Sequence, residues 1–204
     1  TAFNGCTSLT TVSFTENKDG TLKFMNKVFN GCTALESINL PIQTSDVNGD
    51  GNIFVGCTAL KSVTVTDGCA NYFSDNGSLY AKNDDGTELT LCTYVNVPAE
   101  LTIPATASSL PVTTIGPMAF QNNTTLTAVT IPGSVRSFGK YVFADCGNLS
   151  SVTFVGNANV TSLPEGTFYE CVKLKEVHLG DGISQTEGLS LYMAGWSNGM
   201  KVDV

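Results

Sequence analysis

Charged residues are scarce in this sequence, and basic residues are scarcer than acidic ones. Only 14% of the 204 residues are charged, with 10 Lys and Arg against 18 Asp and Glu, which gives a net charge of -8. Contacts to phosphates need clustered Lys and Arg, so this composition argues against nucleic acid and against anionic membranes. The sequence also lacks an apolar run of about 18 residues and the apolar segment of a signal peptide. We therefore expect no nucleic-acid partner and no membrane insertion of this segment.

Groups that could carry catalysis are equally scarce. The one histidine, His178, can join no histidine metal cluster and could serve only one catalytic triad, for which the sequence offers no Gly-x-Ser-x-Gly setting. The paired carboxylates Asp84 and Asp85 precede Gly86, which is a pattern typical of a turn. No phosphate-binding loop and no metal-spaced set of Cys and His occurs. The sequence therefore predicts a protein that is not an enzyme and in which His178 is a solvated polar residue.

What the sequence does contain is one phrase repeated six times. It reads Phe, two residues, usually Cys, two residues, Leu, two residues, Val or Ile, one residue, and a large apolar residue. The copies begin at Phe3, Phe29, Phe54, Phe120, Phe143 and Phe168. Their separations are 26, 25, 66, 23 and 25 residues, so the period is near 25 with one long interruption. Such a period is typical of a solenoid, in which each turn buries its apolar face against its neighbours.

The sequence of this repeated motif resembles that of a known family. Leu-x-x-Val-x-Phe, as in Leu9 to Phe14, is similar to the strand of a leucine-rich repeat, and residues 28–41 and 130–135 are close to the BspA-type form of it. The resemblance, which runs to about Gly182, implies a right-handed, mostly β leucine-rich repeat solenoid. It implies a parallel sheet on one face and short helical or 3₁₀ turns around each Phe. It also implies a secreted or cell-surface bacterial protein that adheres to host matrix proteins or to other bacteria.

We expect one leucine-rich repeat domain over residues 1–204, because stacked repeats form a single elongated unit. Its parts are repeats near 1–27, 28–52, 53–65, 115–141, 142–166 and 167–182, a hairpin insert at 66–100 and a C-terminal cap at 183–204. The turn signals Asn76-Gly77 and Asp85-Gly86 predict that the insert is a three-stranded meander. The alternative to one domain is a pair of solenoids hinged at 98–111.

Both ends of the sequence depart from a complete repeat. The sequence begins in mid-repeat, so we expect a fragment whose upstream turns are missing, and the lack of a leader then says nothing about secretion. The tail around Trp196 no longer follows the repeat. We expect it to cap the apolar end of the stack. The alternative is that Trp196 is a ligand platform.

Seven cysteines suggest disulfides at first sight, but their spacing predicts otherwise. Five occupy the same inward slot of the repeat: Cys6, Cys32, Cys57, Cys146 and Cys171. Parallel side chains on adjacent turns point their sulfur atoms the same way, which opposes the dihedral angle that a disulfide needs. A buried thiol instead fills space as a small apolar group. We expect a ladder of buried free thiols and leave open whether Cys69 and Cys92 form a disulfide.

One stretch, Asp46 to Ile53, copies the first half of an EF-hand calcium loop. Oxygen-bearing side chains stand at positions 1, 3 and 5 and a glycine at position 6, as such a loop requires. The last ligand position of a complete loop carries Glu, but here it is Cys57. Strings of Asp, Asn and Gly also arise as ordinary turns. The two interpretations are a weak calcium site formed by Asp46, Asn48 and Asp50, and a plain turn.

The positions between the core residues of each repeat are the ones left to bind a partner. Strand alternation points them outward, onto a face that we expect to be concave and rich in hydroxyls. The candidate binding residues there are Glu36, Asn39, Lys61, Thr64, Thr130, Thr153, Lys175, Glu176 and His178. Three tyrosines of the insert, Tyr72, Tyr80 and Tyr94, are further candidates, because exposed aromatic side chains often anchor interfaces.

We therefore expect a non-enzymatic binding module that presents this face to a protein or glycan partner at a host or bacterial surface. The alternative is a structural spacer with no ligand of its own. An exposed apolar or aromatic patch on the strand face would favour binding, whereas an evenly polar strand face would favour the spacer.

Overall fold

The computed structural model describes residues 2–14, 20–25, 27–47, 51–156, 160, 163–164, 166–179 and 201–203. The chain divides into two compact units, Thr1–Asn96 and Val97–Val204. The predicted mostly β solenoid with parallel sheets is confirmed. In the ranges just given there is no helix with the length and hydropathy needed to cross a membrane. The prediction of one domain over 1–204 stays a prediction.

The first unit combines a parallel sheet with an antiparallel meander. Its strands are β1 (Thr11–Val12), β2 (Leu22–Lys23), β3 (Ser37–Leu40), β4 (Thr44–Asp46), β5 (Ser62–Val65), β6 (Tyr72–Asp75), β7 (Ser78–Lys82) and β8 (Leu89–Thr93). Strands β1, β3 and β5 pair in parallel, and β2 pairs in parallel with β4. Strands β6, β7 and β8 pair antiparallel in sequence order, so the predicted three-stranded meander is present.

The meander ends the parallel sheet of the first unit. Its tightest turn, at Asn76-Gly77, lies beside β5, and the Gly77 carbonyl accepts a hydrogen bond of 2.8 Å from the Val63 amide. Gly77 has φ +76°, and a Cβ atom there would lie 3.1 Å from the Lys61 carbonyl. The turn therefore needs glycine both for its backbone conformation and for its close approach to β5.

The second unit contains the longer parallel sheet. Its strands are β9 (Glu100–Thr102), β10 (Thr106–Ala107), β11 (Leu110–Ile115), β12 (Ala128–Ile131), β13 (Ser137–Phe138), β14 (Ser151–Phe154), β15 (Glu176–His178) and β16 (Lys201–Asp203). Strands β9, β12, β14, β15 and β16 pair in parallel in that order. Strand β11 pairs antiparallel with β10 and in parallel with β13.

Two predicted parts contain residues of the second parallel sheet. Residue 100, the last residue predicted for the insert, is the first residue of β9. The predicted cap at 183–204 contains β16, which continues that sheet in register with β15. The rest of the cap, Trp196 included, lies outside the described residues.

The repeated apolar residues form the core of each unit, as predicted. Leu35 and Leu60 are buried in the first unit, and Leu126, Leu149 and Leu174 are buried in the second. The register aligns the core position of each strand with that of the next, for example in Val129↔Val152 and Val152↔Val177. Burial of a Leu or Val side chain stabilises a fold by about 1.5–3 kcal/mol. The repeat therefore supplies one such contribution at each rung.

The phenylalanines that begin the repeats stack on one another. Their ring centroids are 5.6 Å apart for Phe3 and Phe29, 5.8 Å for Phe29 and Phe54, 5.1 Å for Phe120 and Phe143, and 5.6 Å for Phe143 and Phe168. In place of the predicted helical or 3₁₀ stretch, the described residues around each Phe form separate turns. In the second repeat, the Cys32 amide donates to the Phe29 carbonyl and the Leu35 amide donates to the Cys32 carbonyl.

The residue just before each Cys slot has a left-handed backbone, which prevents these turns from continuing as a helix. In the first unit these residues are glycines, with φ +74° at Gly5, +71° at Gly31 and +77° at Gly56. In the second unit the equivalent positions hold residues with a side chain: Asn122, Asp145 and Glu170, with φ 63°, 61° and 55°. A left-handed residue with a Cβ atom costs roughly 1–2 kcal/mol, so the second unit carries strain that the first avoids.

All seven cysteines lie among the described residues and keep their thiols, Cys69 and Cys92 included. Four thiols of the ladder donate to the carbonyl of the Phe in the preceding repeat. The pairs are Cys32 to Phe3 at 3.0 Å, Cys57 to Phe29 at 3.0 Å, Cys146 to Phe120 at 3.2 Å and Cys171 to Phe143 at 3.0 Å. The free-thiol ladder is confirmed. Its uniform burial is not, because Cys6 is exposed and Cys57 is half-buried.

Candidate functional site

Outward residues of β3 and β5 form a short row of polar side chains. Asn39 and Thr64 are opposite each other in the register. The Thr64 hydroxyl donates to Asn39 Oδ1 at 2.9 Å, and Asn39 Nδ2 donates to the Thr66 hydroxyl at 3.3 Å. The two predicted binding residues are thus brought together, but their polar atoms are already engaged with one another.

A second predicted pair lies beside this row. Lys61 Nζ and Glu36 Oε2 are 3.0 Å apart, and the side chains are 64% and 60% exposed. Such an exposed ion pair contributes about 0–1 kcal/mol to stability. Because the ion pair is weak, both charges remain available to a partner.

The remaining five predicted residues lie in the second unit. Thr130, Thr153 and His178 follow one another across β12, β14 and β15 in the register. Lys175 and Glu176 are exposed, and His178 Nε2 lies 3.5 Å from Glu176 Oε2. This second row holds hydroxyls and one imidazole beside a carboxylate.

Large exposed apolar side chains lie away from both rows. Those in the described ranges are Phe3, Met25, Ile42, Val155, Tyr169 and Val172. All six lie in turns or connecting segments rather than at outward positions of strands. Among the described strands of the two parallel sheets, no outward position therefore carries a large exposed apolar side chain.

Two of the three predicted tyrosines are core residues of the insert. Tyr72 is 7% exposed and Tyr80 is 2% exposed, so the expectation that they are exposed is wrong. The Tyr72 hydroxyl accepts a hydrogen bond from the Val47 amide at 3.1 Å, and burial raises the pKa of Tyr72 to about 12. Burial also raises the pKa of Tyr80 and of the half-buried Tyr94.

Besides the half-buried Tyr94, an aromatic residue of the insert that reaches solvent is Phe73, which the sequence reasoning missed. Phe73 follows Tyr72 in β6, and strand alternation sends the two side chains to opposite faces. Phe73 is half-buried, and its ring stacks on that of Tyr80 with centroids 5.4 Å apart and planes 16° apart. The alternation around the Asn76-Gly77 turn could have separated Tyr72 from Phe73, but residue type alone could not.

Phe73 lies in the wall of a cavity of about 370 Å³ in the first unit. Its lining is formed by residues 65–70, residues 72–74 and Lys82. Lys82 Nζ lies 5.9 Å from the centroid of the Phe73 ring. Thr66 belongs both to the cavity and to the polar row of Asn39 and Thr64, so the row leads into the cavity.

A scan against protein families matches six copies of the BspA type leucine rich repeat region over residues 1–79 and 99–194. The chain belongs to the BspA-type leucine-rich repeat family. The resemblance read from Phe-x-x-Cys-x-x-Leu is confirmed. Most of those residues are core residues in this BspA-type chain, and the exceptions include the exposed Phe3 and Cys6 and the half-buried Leu9 and Cys57. No curated protein matches the chain.

Solved structures of leucine-rich repeat proteins are similar to this BspA-type chain. A leucine rich cell surface protein from Faecalibacterium prausnitzii is 25% identical with a TM-score of 0.64, over 90% of this chain and 51% of its own. A leucine-rich repeat protein from Bacteroides capillosus is 29% identical with a TM-score of 0.54, over 65% of this chain and 96% of its own. The pneumococcal vaccine antigen PcpA is 20% identical with a TM-score of 0.52, over 91% of this chain and 55% of its own. The chain thus spans about half the length of the Faecalibacterium protein.

The calcium prediction for this BspA-type chain stays a prediction. Asn48 and Asp50 lie outside the described residues, and Asp46 is the last residue of β4, where its carbonyl accepts a hydrogen bond from the Phe24 amide at 2.8 Å. Asn52, from the same stretch, is buried and turned inward. It accepts hydrogen bonds from the Phe54 amide at 2.8 Å and the Thr93 hydroxyl at 3.1 Å. This part of the stretch therefore links the third repeat to the insert.

The described ranges contain no group of three or more His, Cys, Asp and Glu residues that could hold a metal ion. The hydroxyl and amide of Thr87 donate to Asp85, which lowers the pKa of that exposed carboxyl and fits the turn interpretation of Asp84-Asp85. The arrangement offers hydrogen bonds and an aromatic surface to a partner.

Proposed function

We propose that this chain is a non-enzymatic binding module of a bacterial cell-surface protein. The observation that carries the proposal is the cavity of the first unit, where Phe73, Lys82 and Asp67 line one recess. Ligand sites combine a recess of this size with a few convergent polar groups and an aromatic side chain. Membership of the family and the similarity to the Faecalibacterium cell surface protein support a cell-surface location.

The partner in this proposal is a protein or a glycan of a host or bacterial surface. The cavity supplies the anchor, and the polar row of Asn39 and Thr64 extends the contact along the strand face. A net charge of -8 favours neutral or basic partners over polyanions.

A structural spacer is the second candidate, and one observation favours it. The described outward residues of the parallel sheets include no large exposed apolar side chain, and several already bond to one another, as Lys61 does with Glu36. A spacer needs only such a face, because a polar surface keeps a long solenoid from associating with its neighbours. The cavity is the feature that a spacer leaves without a role.

Binding of the intact chain to an array of glycans and extracellular matrix proteins tests the proposal. We expect at least one partner, and we expect Thr64→Arg or Phe73→Ala to weaken its binding. Thr102→Arg, the same change at an exposed outward residue of β9 in the second unit, is the matched control. If no partner is bound, the spacer is favoured and the proposal is wrong.

Thermal unfolding of the intact chain, run with calcium and with a chelator, tests the proposed weak calcium site at Asp46, Asn48 and Asp50. We expect calcium to raise the thermal stability of the chain. The substitution Asp46→Asn should remove that increase, because it takes away one of the charged ligands.

A further inference from the structure

We infer that the cavity of the first unit is a binding site for a neutral sugar residue. This inference rests on the proposed binding function and deepens it by naming the ligand class. The cavity volume of about 370 Å³ falls within the range of roughly 300–1,000 Å³ that small-ligand sites occupy. It has room for one or two sugar rings rather than for a folded partner.

The Phe73 ring provides a flat apolar surface in this cavity. Lys82 Nζ lies over this ring, 5.9 Å from its centroid, so a sugar that packs on the ring contacts or displaces the flexible Lys82 side chain. Its stacking on Tyr80, with planes 16° apart, fixes the orientation of the ring before any ligand arrives. Tyr80 is 2% exposed and so is held in turn by the insert core. One face of a sugar ring consists mainly of C–H groups, and such a face packs against an aromatic ring by dispersion and by removal of apolar surface from water.

The other groups of the cavity match the polar edge of a sugar. Thr66 and Ser74 carry hydroxyls that can donate and accept, Asp67 carries an acceptor carboxylate, and Lys82 carries donors. The Thr66 hydroxyl is positioned by the hydrogen bond that it accepts from Asn39 Nδ2 at 3.3 Å. Sugar hydroxyls both donate and accept, so they can satisfy this mixed set where a purely apolar ligand would leave it unpaired.

Charge favours a neutral sugar over an acidic one. Lys82 is the single basic residue in the sequence from 66 to 96, which also holds five acidic residues: Asp67, Asp75, Asp84, Asp85 and Glu88. Of these carboxylates only Asp67 lines the cavity, where it offsets the charge of Lys82, so the lining has no net charge that would attract an acidic sugar. A basic peptide is attracted by the carboxylates, but Lys82 stands at the cavity and repels a cationic side chain there.

Ligand-detected NMR on the intact chain tests this site. The probes are glucose, galactose, mannose and N-acetylglucosamine, each alone, together with glucuronic acid and tetralysine. We expect saturation transfer to at least one neutral sugar. Phe73→Ala should weaken that binding at least about tenfold, a change that corresponds to about 1.4 kcal/mol.

Tyr169→Ala is the matched control, because Tyr169 is an aromatic residue, 49% exposed, in the other unit. We expect it to leave sugar binding unchanged. If Phe73→Ala lowers the thermal stability of the chain, Lys82→Met provides the second test of the cavity, because it keeps the length of the side chain and removes its donors. It too should weaken sugar binding.

Three results would overturn the sugar site: no transfer to any neutral sugar, binding of glucuronic acid or tetralysine in their place, or neutral-sugar binding that survives both Phe73→Ala and Lys82→Met. If the intact chain still binds a protein on the array while no neutral sugar binds, only the sugar site is wrong. If nothing binds in either experiment, the proposed function falls with it.

Discussion

Replacing the buried Asn52 by alanine should destabilise the first unit strongly, because its amide links the third repeat to the insert. Asn52 is 5% exposed. It accepts hydrogen bonds from the Phe54 amide at 2.8 Å and the Thr93 hydroxyl at 3.1 Å, and it donates to the Cys92 carbonyl at 3.2 Å. Asn52→Ala removes all three of these bonds at once.

The size of the effect follows from the groups that are left behind. The Phe54 amide belongs to the backbone and cannot turn toward another acceptor, and the bonds to the Thr93 hydroxyl and the Cys92 carbonyl are lost in addition. Each buried group without a partner costs about 1–3 kcal/mol. Water can enter the space of the lost side chain and recover part of this cost. We therefore expect Asn52→Ala to lower the free energy of unfolding by about 2–4 kcal/mol.

Urea unfolding followed by circular dichroism, with linear extrapolation to water, measures this free energy. The matched control is Asn71→Ala, the same substitution at an exposed residue whose Nδ2 donates to the Ser45 carbonyl at 3.2 Å. Solvent can replace that bond, so Asn71→Ala should cost only about 0.5 kcal/mol. If the two variants lose equal stability, Asn52 does not link the repeat to the insert in the way described.

Two further predictions concern the backbone and the insert core. Gly31→Ala should lower the free energy of unfolding in urea by about 1–2 kcal/mol, because alanine is strained in the left-handed backbone conformation of this position. The added Cβ itself makes only an ordinary contact of 3.6 Å with Gly5. Glu170→Gly should instead raise the free energy of unfolding by about 0.5 kcal/mol, since it relieves the same strain but increases the entropy of the unfolded chain. If both variants were destabilised, or both stabilised, the two positions would not share this backbone conformation. The pKa of Tyr72 is raised to about 12 in the folded chain. The protonated Tyr72 side chain therefore contributes its full amount to the free energy of unfolding below about pH 10, and this contribution is lost as the pH rises from about 10 to about 12. Tyr72→Phe should flatten this alkaline decline in urea titrations and also cost about 1 kcal/mol near neutral pH through the lost acceptor for the Val47 amide; an unchanged decline would place the raised pKa elsewhere.

The core residues of each unit could be predicted because they recur at the period of the sequence repeat. Leu35 and Leu149 recur at one position of the phrase, and a residue that recurs at the solenoid period lies at an equivalent place in every turn. The thiol ladder followed from the same periodicity. Its hydrogen bonds to the preceding Phe carbonyl did not, because they depend on the depth of each turn, which periodicity does not report.

The left-handed turns could be predicted only in part. A glycine such as Gly31 indicates a left-handed backbone conformation, since glycine adopts that conformation without strain. Glu170 occupies the same conformation and gives no such sign in the sequence. Only alignment of the repeats shows that both residues precede the cysteine slot.

The candidate site was the hardest part to predict, because it depends on which way single side chains face. Tyr72 and Tyr80 were selected by residue type, but both fill the core of the insert. Tyr72 and Phe73 both line the cavity, but alternation along β6 leaves Tyr72 buried and Phe73 half-buried. The strand-face residues Asn39 and Thr64 were placed correctly, but their hydrogen bond to each other follows from the register of β3 and β5.

The central claim is that the recurring residues are inward rungs of the solenoid, and thiol accessibility tests it most directly. Mass spectrometry after a short iodoacetamide pulse counts the modified cysteines in the native and the denatured chain. We expect rapid native labelling of the exposed Cys6, slow labelling of Cys57, whose pKa burial raises to about 12, and protection of the other five. All seven should react once the chain is denatured. Rapid native labelling of Cys32, Cys146 or Cys171, or fewer than seven reactive thiols after denaturation, would contradict the account.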